Sequence, residues 1–72
     1  MRMGTVKSSL ISKLGFSGGP GETGTLRVEY KDGAVFDYSK VLYSVFRRLV
    51  TMKHPGTWWT AHRDGYKFNQ VS

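Results

Sequence analysis

The stretch from Thr25 to Tyr38 limits this chain more than any other, because the parity of its apolar residues admits one strand register. Thr25-Leu26-Arg27-Val28-Glu29-Tyr30 alternates apolar with polar, as a half-buried strand does, and Ala34-Val35-Phe36-Asp37-Tyr38 reads as a second strand. Lys31-Asp32-Gly33 joins them. A two-residue turn would pair Tyr30 with Val35 and put Phe36 and Tyr38 on the face of Arg27 and Glu29. A three-residue loop pairs Tyr30 with Ala34, Val28 with Phe36 and Leu26 with Tyr38, which gathers the large apolar groups on one face. A slip of one residue exchanges the two faces. The three-residue loop is therefore expected, with Gly33 left-handed in a bulge.

Upstream, Val6 to Phe16 is rich in small and β-branched residues and reads as a strand that Ser8-Ser9 breaks or bends. Five of the nine glycines fall between Gly15 and Gly24. The run from 17 to 24 is expected to be a mobile loop between strands, since it has little to bury and costs entropy to order. Gly15-Phe16-Ser17-Gly18-Gly19 matches G-x-S-x-G, but a nucleophile elbow needs a large α/β sheet and triad partners that this chain does not offer. Downstream, Leu42, Val45, Phe46, Leu49 and Met52 recur at helical spacing, which predicts a helix over Val41 to Lys53. Ser39 is the expected N-cap, and Pro55-Gly56 the expected stop. Thr57 to Gly65 can form a short second helical turn, and Tyr66 to Val71 alternates as a last strand would.

These elements predict an α+β fold: an antiparallel sheet of three to four strands with one amphipathic helix on a face. The expected core is Val6, Leu14, Leu26, Val28, Tyr30, Phe36, Tyr38, Leu42, Val45, Phe46, Leu49 and one tryptophan. Seventy-two residues allow a single domain, spanning 1–72, and the absence of cysteine removes disulfides and zinc thiolates as supports. No stretch approaches a membrane span, and Met1 to Ser8 lacks the apolar run of a secretory signal. A cytoplasmic protein, in a bacterial cell or a phage-infected host, is the expectation.

Taken in order, the pieces carry a family likeness. Val6, Ser8 and Ser9 are followed by Ile11, Gly15 and Phe16, then by Leu26, Val28, Tyr30, Gly33, Phe36 and Tyr38, then by Val41, Val45, Phe46 and Leu49. Over positions 6 to 68 the chain resembles the KTSC family, a short domain at the C-terminus of some lysyl-tRNA synthetases that also stands alone in bacterial and phage proteins. The family's proline after the central aromatics is Leu42 here, and the glycine loop is longer. The resemblance implies this fold and suggests RNA binding; it implies no catalytic residue.

Charge points the same way. The first 39 residues hold five basic and four acidic groups; from Lys40 onward there are six basic groups and only Asp64 against them, within a net charge of +6. A lopsided positive surface suits a polyanion or an acidic protein. Arg47, Arg48, Lys53, Arg63 and Lys67 are the expected phosphate-contacting residues. Of the neighbouring Trp58 and Trp59, one is expected to plug the core and the other to be exposed for base stacking or as a protein anchor. Phe36 and Tyr38 are assigned to the core on parity. His54 and His62 lie too far apart in sequence, with too few other ligands, for a metal site, and His62 with Asp64 lacks a nucleophile for acid–base work. The predicted function is a small non-enzymatic module without cofactor that binds RNA or single-stranded nucleic acid; the alternative is a phage-type module docking on an acidic host protein.

Overall fold

The structure is a computed structural model that describes residues 3–19 and 21–72. Pro20, expected in the glycine loop, and Met1 and Arg2 lie outside the described residues. Five strands form one antiparallel sheet in sequence order: β1 (Met3–Thr5), β2 (Ile11–Ser17), β3 (Thr23–Tyr30), β4 (Val35–Leu42) and β5 (Phe68–Gln70). Between β4 and β5 come two helices, α1 (Tyr43–Thr51) and α2 (Pro55–His62), and a 3₁₀ turn at Arg63–Gly65. The sheet therefore has five strands where three to four were expected. The addition is β1, a three-residue edge strand too short to show an alternation of its own, while β5 falls within Tyr66 to Val71, where a last strand was expected. No helix among the described residues is long and apolar enough to cross a membrane.

The central hairpin has the predicted register. Val28 faces Phe36 and Leu26 faces Tyr38, while the Tyr30 N–H donates to the Ala34 carbonyl at 2.8 Å. Gly33 takes φ +94° and donates to the Tyr30 carbonyl, and the Asp32 carboxylate accepts from the Ala34 N–H. On the face away from the helices, Arg27 and Asp37 are direct cross-strand partners and form a bidentate ion pair, with Nε–Oδ1 at 2.7 Å and Nη2–Oδ2 at 2.9 Å. The carboxylate, first by this hydrogen bond and then by its charge, holds the guanidinium above its ordinary value.

Upstream, the expected strand is interrupted as Ser8-Ser9 suggested. The Ser8 hydroxyl oxygen accepts from the N–H groups of Leu10 and Ile11, turning the chain between β1 and β2. Ser12 is an extra residue in β2, because Ile11 faces Tyr30 and Lys13 faces Glu29. That bulge lets both Ile11 and Leu14 point into the core. Gly24 approaches β2 so closely that a Cβ would collide with the Ser17 carbonyl; no other residue fits there. Ser17 leads into a loop between strands, far from the strand-to-helix turn of a nucleophile elbow.

A second bulge revises the helix start. Tyr38 faces Leu26 and Val41 faces Gly24, so Ser39 and Lys40 together oppose Thr25 alone. The extra residue shifts the parity of β4: Val41 turns inward and is fully buried, and Leu42 turns outward and is 52% exposed. Leu42 is thus not a core residue, and Ser39 is not an N-cap. It belongs to β4, and α1 begins at Tyr43 with Leu42 in the cap position and no side-chain cap. The Tyr43 N–H donates instead to the Glu22 carbonyl, which ties the glycine-rich connection to the helix start. Pro55 does not stop α1, which ends at Thr51; it opens α2, where its missing N–H costs nothing.

Both helices pack on the face that carries Leu14, Leu26, Val28, Tyr30 and Tyr38. Leu49 of α1 and Trp59 of α2 are fully buried there, with Val45, Phe46, Val50 and Met52 packed around them. Phe46 stacks on Phe16 of β2 at 5.4 Å. Val6, expected in the core, is only partly buried at its margin.

Candidate nucleic-acid interface

At the centre of the helix-covered face, Trp59 stands edge-on to Tyr38 with centroids 4.8 Å apart. Its Nε1–H donates to the Tyr30 hydroxyl at 3.2 Å, and the Tyr30 and Tyr38 hydroxyls share a hydrogen bond of 2.6 Å. Among the described residues no buried side-chain polar atom lacks a partner. Burial, and then the bond to Tyr30, push the Tyr38 phenol well above its ordinary value. Tyr38 is therefore a neutral structural hydroxyl. Trp59, foreseen as one of two possible contact residues, is fully buried and is withdrawn from the interface.

Toward the β5 edge the same face lies open. Phe68, on β5 opposite Tyr38, is 59% exposed. Its ring lies 5.7 Å from Phe36 and 5.9 Å from Tyr38, and Phe36 stands edge-on to Tyr30 at 5.8 Å. Phe36 is only half-buried, packed against the core, so its assignment to the core holds in part. The 3₁₀ turn after α2 places Arg63 over the Tyr30 ring, with Cζ 5.9 Å from the centroid. The neighbouring Tyr30 hydroxyl, as acceptor, is the main reason the guanidinium is held above its ordinary value. Two shallow clefts, of about 310 and 220 Å³, adjoin here and share Phe36 and Arg63 in their walls. Lys31 lines the larger cleft; Phe68 and Asp64 line the smaller. Flat apolar ring faces beside a fixed cation can take a planar heteroaromatic group between them.

The other predicted contacts are spread over the molecule. Arg47 and Arg48 are exposed on α1, and Lys53 is exposed in the link between the helices. Trp58 is half-buried, with His62 stacked on it at 3.9 Å and 15° and the His62 Nδ1 2.7 Å from the Trp58 carbonyl oxygen. One face of Trp58 is thus already covered. Lys67 is exposed immediately before β5. Among the described residues no three His, Cys, Asp or Glu groups gather to hold a metal ion. Sequence reasoning did not single out Phe68 as a candidate, although its ring is exposed beside Phe36. Its alternation with Lys67 was visible, but its pairing with Tyr38, and hence its neighbours, was not.

Compared with known protein families, the chain matches the model described as KTSC domain over residues 7–68. No curated protein matches it.

Proposed function

The chain belongs to the KTSC domain family, and for this member of it we propose a non-enzymatic role in binding single-stranded nucleic acid, with RNA the favoured form. The observation that carries the reading is the exposed Phe68 ring beside Phe36, with Arg63 fixed between the two clefts. A base stacks on the Phe68–Phe36 surface, and Arg63 adds a cation–π or phosphate contact. Lys31, Lys67 and the exposed pair Arg47 and Arg48 supply sequence-independent attraction to the backbone. Unpaired bases suit this surface because a duplex hides their faces.

The test is titration of a fluorescein-labelled oligouridine of roughly 12 nucleotides against the protein. Binding that falls steeply with salt, and that weakens by about 1–3 kcal/mol in Phe68→Ala, is the expected result. Equal affinity of Phe68→Ala and the parent chain would remove the stacking surface from the account. An acidic protein partner is the competing reading, and retention of one stoichiometric protein after nuclease treatment, with no oligonucleotide affinity, would favour it.

A further inference from the structure

The bulge in β4 is made with a lysine in the left-handed region. Lys40 has φ +55°, the only positive value at a non-glycine among the described residues. Glycine adopts that conformation without steric cost, whereas a Cβ makes it strained. The backbone geometry alone therefore asks for glycine, and the lysine side chain needs a separate reason. It lines a groove of about 470 Å³ together with Ser39, Gly65, Tyr66 and Lys67. The Ser39 N–H donates to the Lys67 carbonyl at 2.8 Å, which clamps the two lysine-bearing segments together. No carboxylate lines the groove, and neither lysine is in an ion pair among the described residues. Two like charges in one groove repel, and an anion between them turns that repulsion into attraction. The groove and the aromatic corner are linked through the backbone, with Ser39 following Tyr38, Lys67 preceding Phe68 and Gly65 following Asp64, although no residue lines both.

We infer that this groove is a phosphate site, in which Lys40 and Lys67 hold the phosphodiester next to the nucleotide stacked on Phe68. The second half of that statement rests on the proposed function; the phosphate site itself does not. The experiment compares Lys40→Gly, Lys67→Gln and Phe68→Ala by thermal melting and by oligouridine titration between about 50 and 200 mM KCl. Lys40→Gly should raise Tm by roughly 5 °C, since it relieves the left-handed strain, while it weakens binding and lowers the log–log salt slope by about 0.7. Lys67→Gln should lower the slope by a similar amount without the gain in Tm. Phe68→Ala should weaken binding and leave the slope unchanged. A stabilised Lys40→Gly with unchanged affinity and slope would overturn the phosphate site while leaving the stacking surface standing. If the parent chain binds no oligonucleotide, the proposed function fails, and pyrophosphate titration followed by amide chemical shifts decides the rest. Shifts at Ser39, Lys40 and Lys67 that vanish in Lys40→Gly would uphold the phosphate site, and their absence in the parent chain would overturn it.

Discussion

Two groups of aromatic rings share one face of this sheet and differ in what closes over them. In the first, Tyr30 and Tyr38 lie beneath α2 and meet its Trp59, all three nearly or fully buried, with their hydroxyls and the indole N–H paired to one another. In the second, Phe36 and Phe68 continue the same surface toward the β5 edge, where no helix roofs them, and Phe68 stays 59% exposed. Both groups are aromatic, but only the first carries polar atoms. The difference is that the buried group has satisfied every polar atom and has no surface left to offer. The open group has apolar ring faces in water beside Arg63. An aromatic ring stabilises the fold in the first setting and is available to a ligand in the second.

Substitutions can break that contrast, and their effects should fall in a definite order. The largest is Trp59→Ala, which removes the biggest fully buried side chain. It should cost about 3–5 kcal/mol, most of the stability of so small a domain, with ligand affinity lost only through unfolding. Urea denaturation measures it, and a well-folded Trp59→Ala protein that binds poorly would erase the distinction between the two groups. Next is Phe68→Ala, which should lower affinity by about 1–3 kcal/mol and stability by less than about 1 kcal/mol. A large loss of stability with intact binding would assign Phe68 to the core instead.

Tyr38→Phe should follow, at about 1 kcal/mol of stability for the lost hydroxyl–hydroxyl bond and no change in affinity. It also has a pH signature. The Tyr38 phenol is raised by burial and by its bond to Tyr30, so the fold holds the neutral form. Its contribution is complete below about pH 10, the ordinary value in the unfolded chain, and is lost as the pH rises above that. Melting curves from neutral to strongly alkaline pH should show a decline that Tyr38→Phe makes shallower. The smallest effect on the fold is expected from Arg47→Ala with Arg48→Ala. These exposed residues lie off the buried stripe of α1, so Tm should be unchanged while affinity for all oligonucleotide sequences drops alike. Sequence-selective weakening would show that α1 contacts bases.

The register of the central hairpin was legible because it depends on a few neighbouring residues: alternation on either side of Lys31-Asp32-Gly33 leaves one arrangement that buries Leu26, Val28, Phe36 and Tyr38 together. The inward positions Val45, Phe46 and Leu49 of α1 and the exposure of Arg47 and Arg48 were legible for the same reason, at helical spacing, though Leu42 and Met52 fall outside the helix. The split between Trp58 and Trp59 was legible as a split, since adjacent helical residues point about 100° apart; which of them went inward was not. Nor was the open corner. Phe68 is exposed because β5 is the edge strand, one position outside the Tyr38 that α2 covers, and nothing near residue 68 records that pairing.

Local periodicity, then, belonged to the sequence by itself: the hairpin, the amphipathic helix, the excess of positive charge after residue 40 and the family likeness confirmed over residues 7–68. Tertiary structure alone decided the bulges at Ser12 and at Ser39–Lys40, the inward turn of Val41, the outward turn of Leu42 and the left-handed lysine. The physical reason is that a bulge is a property of two paired strands. One extra residue reverses the parity of everything beyond it, and whether it is accommodated depends on the partner strand and on what the core has room to receive.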